Sequence, residues 1–522
     1  MAKQFICTST YPIVETKQGK IRGFVEDGTF KYYGIKYADA KRWEMPVDVQ
    51  PWEGVKDALG YGYVSPLLSQ DTPSSGEIKV PHRYWPQNEH CQYLNIWTQS
   101  IDKGVKKPVM VWLHGGGFSA GSGIEQQAYD GTALSEVGDV VVVSLNHRLN
   151  ILGYLDLSDY GEKYWNSGNV GSADMVAALK WIHENIEGFG GDPENVTIFG
   201  QSGGGMKVYS LINTPAADEY ITRGIVMSGV MDGFTPGKPQ SGKPIVEALL
   251  KETGCKDVEE LAVLPYEDLA KAYNKVSPEL RMAGEYVGNG GPIKNDWYPG
   301  DPFLYGWTEH AKKVPIMAGT VMCEFLGFAP GRPDRHTMDA ETELKFVAEG
   351  GMLGGYGDKA EEVIAEFKKA YPGKPVADLM VIDTAMRPPT SRLIASKAAV
   401  SEAPTWSYVF AYEFPIDEGA GAWHCSDIPF AFHNTKLAPI CCIPGVSDKL
   451  EHQYSAAYLN FAKYGDPNDP SLPYWPASTA EDEYTMVFDR TCEVRKNFDK
   501  KLMELAVEYG PKFSFGAVKI EH

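Results

Sequence analysis

Residues 196–212, VTIFGQSGGGMKVYSLI, press a run of β-favouring side chains against a glycine-rich turn and then resume as a helix-compatible segment. No other stretch constrains the fold as tightly. A strand that breaks at Gly200-Gln201-Ser202-Gly203-Gly204 and continues as a helix needs a corner where backbone packs on backbone, and glycine leaves room for that. The pentapeptide alone fits two readings. One is an ordinary strand-to-helix turn that contains a serine. The other is a strained corner that holds the Ser202 hydroxyl out as a nucleophile, the G-x-S-x-G pattern. A helix starting there would aim its free N–H groups and positive dipole end past the serine.

The rest of the chain supplies a setting for that corner. KPVMVWL at 107–113 and DVVVVSL at 139–145 are continuous apolar runs, as expected of strands covered on both faces. The segment 171–189 carries Val176, Leu179, Trp181, Ile182 and Ile186 as a helical apolar stripe, and GGDP stops it. Further strand candidates lie at 195–199, 220–229, 314–321 and 405–414, with a hairpin pair at 18–25 and 30–38 and another strand at 92–98. Residues 330–400 are charged and helical in pattern, and 452–465 reads as a last helix. Strands alternating with helices imply an α/β fold: a large, mostly parallel central sheet flanked by helices, with a small β-rich N-terminal region. No repeat, low-complexity tract or long linker divides the chain, so residues 1–522 read as a single domain.

A net charge of −20 argues against a nucleic-acid partner. No apolar run reaches the length of a membrane span, and the N-terminal segment lacks the apolar core of a secretion signal, so the expected location is cytoplasmic. The eight cysteines form no CxxC pair and no zinc-ligand spacing, so no metal site is expected.

A second glycine cluster bears on the serine. His114-Gly115-Gly116-Gly117-Phe118 follows the strand candidate at 107–113, and three glycines let backbone N–H groups approach a ligand closely. Donors from Gly116 and Gly117, with the N–H of Gly203, would form an oxyanion hole. A phosphate loop has no support, since no G-x-x-x-x-G-K-[ST] pattern occurs. A nucleophilic serine also needs a base, and the base a carboxylate. His424, in GAGAWHCSDIPFAF, follows small residues suited to a loop; His114 belongs to the glycine cluster, His183 to a helix, and His147 precedes the serine. Glu324 stands just after the strand candidate 314–321, where α/β enzymes gather functional residues, and Asp427 is its rival. Ser202, Glu324, His424 is the order Ser…Asp/Glu…His.

Four blocks in order then carry a resemblance: EHCQYLNIW at 89–97, LNHRLNILGYL at 145–155, the long GNVGSAD…GQSGGG block at 168–205, and FAKYGDPNDPSLPYWP at 461–476. The chain resembles the type-B carboxylesterases, the group of cholinesterases and bacterial carboxyl and feruloyl esterases, over nearly its whole length. The resemblance implies an α/β-hydrolase fold and a serine esterase that acts on small-molecule esters through an acyl-enzyme, without metal or organic cofactor. It implies Ser202 as nucleophile, Glu324 as acid, His424 as base and Gly116, Gly117 and Gly203 as oxyanion donors. Gln201 and Ser228 would adjoin these groups.

The chain departs from the family pattern at Gln201, where Glu is usual, at Gly203, where Ala is usual, and at Phe325, where Gly follows the acid. Losing a carboxylate beside the serine weakens attraction for a cationic alcohol and favours uncharged esters. Secreted members pair the cysteine equivalent to Cys91 with one shortly upstream; residues 60–75 contain none, which fits a reducing compartment. Tyr84, Trp85, Phe118, Phe325, Phe328 and Trp423 would either line a pocket for an aromatic acyl group such as a hydroxycinnamate or serve as packing. Short-chain aliphatic esters are the other expectation. Three alternatives stay open: a catalytically inactive binding module on this fold, an interfacial lipase, and an amidase using the same residues. Monomer and dimer are both open.

Overall fold

The apolar runs become neighbouring parallel strands, Lys107–Leu113 and Val141–Leu145, with Val109 opposite Val141 and Trp112 opposite Ser144. Every residue of the second strand is buried, which is why its sequence does not alternate. The computed structural model describes residues 4–69, 78–79, 81–232, 241–328, 333–350, 354–400, 402–416 and 418–511. The chain divides into two compact units. The first is Met1–Pro73, His82–Ile225 and Gly233–Val314; the second is Ser74–Pro81, Val226–Asp232 and Pro315–His522.

In the first unit, Lys107–Leu113 has the strand Gly191–Gln201 on its other side, again parallel. Outward from Val141–Leu145 the strands Tyr93–Thr98, Thr29–Lys36 and Phe24–Glu26 follow in antiparallel sequence. The parallel part therefore reaches the Ser202 strand, and the β-rich N-terminal region extends the sheet antiparallel on the other side. The Ser202 strand begins earlier than its apolar run suggests. Lys107 pairs with Gly191 and Val109 with Val196, so residues 192–195, Pro193 among them, bulge out of the ladder. A bulge is where a sheet accepts a residue without an N–H.

The helix Val170–Asn185 is locked beneath this sheet by Arg148. Its guanidinium meets both Asp174 oxygens at 2.7 and 2.8 Å and the carbonyls of Lys41 and Glu44 at 2.9 Å. Both side chains are buried, so removing either partner strands a charge and costs about 3–5 kcal/mol. Helices Lys243–Thr253 and Tyr266–Met282 close over Trp43, Leu155, Leu249 and Leu261 in a separate apolar cluster.

In the second unit, Ile316–Val321, Thr405–Phe410 and Tyr484–Phe488 are successive parallel strands, edged by antiparallel Glu493–Lys496. Helices Ala360–Ala370 and Lys500–Tyr509 pack Val363, Phe367, Leu502 and Ala506 into its core. All eight cysteines are free thiols. Among the described residues, no helix is long and apolar enough to cross a membrane.

Candidate active site

Ser202 ends the strand and caps the helix Gly203–Ile212 with φ 58° and ψ −126°. For a residue with a side chain this is strained backbone, costing on the order of 1–3 kcal/mol. The glycines explain why the corner can exist. A Cβ on Gly200 would lie 2.6 Å from the Leu113 carbonyl oxygen, and one on Gly204 only 2.0 Å from the same atom. The strand, the turn and the neighbouring strand thus pack main chain on main chain.

The second glycine cluster comes to the same place. A Cβ on Gly203 would fall 2.3 Å from the Gly117 Cα and 2.4 Å from the Gly117 nitrogen, and one on Gly115 would lie 3.3 Å from the Ser202 Cβ. Gly116 and Gly117 take φ 85° and 62°, and the Gly116 carbonyl is closed into a turn by the N–H groups of Ser119 and Ala120. Phe118 is tied down through its carbonyl, which accepts from the Asn150 N–H at 2.7 Å. Among the described residues, the N–H groups of Gly116, Gly117 and Gly203 have no acceptor. Gln201 is buried under the Gly115 turn, its Oε1 3.4 Å from where a Gly115 Cβ would stand.

Glu324 and His424 meet in the second unit. His424 Nδ1 donates to Glu324 Oε2 at 2.5 Å, and the His424 N–H donates to the Glu324 carbonyl at 3.0 Å. The other carboxylate oxygen of Glu324 accepts the Val321 N–H at 3.1 Å, so the strand end itself aims the acid. Glu324 is fully buried, while the His424 side chain keeps 12% exposure. The rival acid does not take this position: Asp427 accepts from the Tyr454 hydroxyl at 2.9 Å. That hydroxyl belongs to a buried chain, Tyr454 to Tyr458 to Tyr408, with links of 2.9 Å.

Charge governs this second cluster. Burial alone would lower the His424 pKa, but the Glu324 carboxylate, with Asp427 and Asp383 behind it, outweighs burial and holds the imidazole above its usual value. Burial pushes Asp427 up to about 7, against the Tyr454 hydrogen bond and with the Glu324 charge. Asp383 is pushed up in the same way, by burial and then Glu324, although the N–H groups of Ala385, Met386 and Arg387 cap its carboxylate. Asp383 and Lys207 were not among the residues singled out in the sequence. Asp383 carries no local signal beyond a capping position; a lysine inside MKVYSLI is a visible one.

Ser228 is buried with φ 44°, donates its N–H to the Gly319 carbonyl at 2.8 Å, and leaves its Oγ unpartnered among the described residues. Of the aromatic residues, Phe118 is buried against Tyr154, Phe325 is buried, and Trp423 is sealed against Phe414 at 4.3 Å with its indole N–H on the Lys79 carbonyl. All three side chains are buried. Trp85 is partly buried, Tyr84 is exposed, and the Phe328 side chain lies outside the described residues.

Comparison with known proteins identifies the family. The model of the carboxylesterase family matches residues 10–506. Para-nitrobenzyl esterase of Bacillus subtilis is 32% identical over 92% of this chain and 95% of its own. Phenmedipham hydrolase of Pseudarthrobacter oxydans is 30% identical over 94% and 97%. Among solved structures, an esterase from anaerobic Clostridium hathewayi that can hydrolyze aliphatic aromatic polyesters superposes with a TM-score of 0.93 at 50% identity, covering 97% of this chain and all of that one. The chain belongs to the carboxylesterase family: it has the α/β-hydrolase fold and is a carboxylic ester hydrolase.

Proposed function

We propose that this esterase cleaves uncharged carboxylic esters with short-chain or aromatic acyl groups, through an acyl-enzyme on Ser202. The observation that carries this reading is the set of three unpartnered N–H groups, on Gly116, Gly117 and Gly203, gathered at the Ser202 corner. In the proposed reaction Ser202 Oγ attacks the ester carbonyl carbon while His424 Nε2 takes its proton. The carbonyl oxygen gains the negative charge and is held by the three N–H groups. The tetrahedral adduct collapses, the C–O bond to the alcohol breaks, and His424 returns the proton to the departing alkoxide. Water, deprotonated by His424, then attacks the acyl carbon and releases the acid and free Ser202. Glu324 keeps His424 in the tautomer with its proton on Nδ1 and stabilises the imidazolium.

Both the uncharged-ester and the aromatic-acyl parts of this reading have support. Gln201 stands where a carboxylate would favour a cationic alcohol, which supports uncharged esters, and the aromatic class is supported by the likeness to the Clostridium hathewayi esterase that can hydrolyze aliphatic aromatic polyesters. We read 1–522 as one catalytic domain, and the eight free thiols support a reducing compartment. The test is hydrolysis of p-nitrophenyl acetate, butyrate and octanoate, methyl ferulate and dimethyl terephthalate by wild type and Ser202→Ala. Activity confined to wild type supports the nucleophile, and the best substrate selects the acyl class. Equal rates in the two proteins would remove Ser202 from the mechanism.

A further inference from the structure

Lys207 is completely buried on the helix that Ser202 caps. A lysine without solvent normally sits against a carboxylate, because an unpaired buried ammonium is costly. Among the described residues no carboxylate forms an ion pair with it. Its Nζ instead donates to the main-chain carbonyl of His114 at 2.9 Å and stands 5.7 Å from the centre of the Phe118 ring. Those two contacts are the two ends of the His114-Gly115-Gly116-Gly117-Phe118 loop. The flanks are equally inert: the His114 and His147 rings stack at 5.2 Å, and each Nδ1 donates to a backbone carbonyl, of Gly115 and of Arg148.

We infer that Lys207 is a positioning residue for ester cleavage: its ammonium clamps both ends of the glycine loop and sets a positive charge behind the N–H groups that receive the oxyanion. This rests on Ser202 being the nucleophile. An apolar side chain of similar length would fill the same space and spare the burial of a charge, so packing alone does not account for a lysine here. A charge held in a medium of low dielectric acts strongly on its surroundings, and it acts most when the carbonyl oxygen turns negative. The benefit therefore belongs to the transition state and to kcat, with little effect on KM.

The charge is also marginal. Burial lowers the Lys207 pKa to about 7, with only the Glu125 carboxylate opposing. The other titratable groups facing it, His114 and His147, are held neutral far below their usual values by burial and by the lysine itself. Near neutral pH the lysine loses its charge, while the neutral amine still donates to the His114 carbonyl. On top of the rise that follows loss of the His424 proton, which wild type and variants share, the wild-type kcat is expected to descend to a lower plateau as pH rises through about 7.

The experiment compares full-length wild type, Lys207→Met and Lys207→Gln with p-nitrophenyl butyrate between pH 5.5 and 9, with organophosphate titration of Ser202 as a count of intact sites. In Lys207→Met, kcat should fall on the order of 10²-fold at low pH, with KM nearly unchanged and the alkaline descent gone. Its Tm at pH 6 should equal or exceed that of wild type, since the buried charge is removed. Lys207→Gln keeps a donor without charge, so it should lie between the two and should also lack the descent. Wild-type kcat and pH profile in Lys207→Met, or in Lys207→Gln if the methionine variant does not fold, would overturn the inference. A fall in Tm with kcat per titrated site unchanged would do the same. Retained activity in Ser202→Ala would instead defeat the underlying nucleophile assignment, whatever the Lys207 variants show.

Discussion

The Ser202 corner and the His424–Glu324 pair are built from opposite materials. The corner depends on what is missing: Gly200, Gly203 and Gly204 leave no Cβ where one would lie within 2.6 Å of another backbone. The pair depends on what is present, a buried glutamate with Asp383 and Asp427 near enough to raise the imidazole's proton affinity. The first region sets where backbone donors stand, and its geometry does not change with pH. The second sets when a proton is held. Substitutions at the corner should therefore act through displacement, and those at the pair through tautomer and titration.

The largest test of that contrast falls on the pair. Glu324→Gln keeps the volume and the Val321 hydrogen bond but offers an amide to His424 Nδ1, and loses the carboxylate that in the proposed mechanism stabilises the imidazolium. The expected loss in kcat is about 10⁴-fold, as when a triad acid becomes its amide. KM and Tm should stay close to wild type, measured with p-nitrophenyl butyrate and by thermal unfolding. A loss below tenfold would mean that another carboxylate orients His424.

The corner should give the next effect. Alanine is usual in the family at the position of Gly203, so Gly203→Ala looks conservative from the sequence. Here the new methyl would meet Gly117 at 2.3 Å, backbone on both sides, and the glycine loop would have to retreat. Retreat moves the Gly116 and Gly117 donors from the oxyanion, which typically costs 10²–10³ in rate for one lost donor. The expected outcome is a fall in kcat on the order of 10²-fold with an unshifted pH profile. A rate near wild type would show that the loop can withdraw freely and that its closeness to Gly203 is incidental.

These two regions also differ in how much of them could be read beforehand. The corner was legible because a backbone collision forbids side chains at fixed spacing, and glycines at 200, 203 and 204 are visible in any sequence. The parallel strands around it were legible from unbroken apolar runs. The start of the Ser202 strand was not, because Asp192-Pro193 looks like a turn and the bulge that accommodates it is set by the neighbour strand. His424 and Glu324 lie 100 residues apart, so only their order and the family resemblance linked them. Asp383 was invisible: it reads as a capping aspartate, and its electrostatic part comes from burial beside Glu324. Asp427 was seen but as a rival acid, since sequence does not show that Tyr454 engages its carboxylate.

The smallest effect isolates that last group. Asp427 adds to the raised pKa of His424, after Glu324, so Asp427→Asn should lower the imidazole pKa. The ascending limb of kcat/KM, which in the proposed mechanism follows loss of the proton from His424, should move to lower pH while the plateau rate stays within a few fold. Stability offers an independent check with a definite sign. The Asp427 carboxyl is held up at about 7 when folded and has a reference value of 3.8. Its contribution to stability is therefore fully present below about pH 4 and lost as pH rises through 7. An asparagine cannot ionise, so the Tm of the variant should fall less than that of wild type between pH 5 and pH 8.5. An ascending limb that stays in place, or moves upward, would show that Asp427 serves the Tyr454–Tyr458–Tyr408 chain alone and leaves the titration of His424 to Glu324.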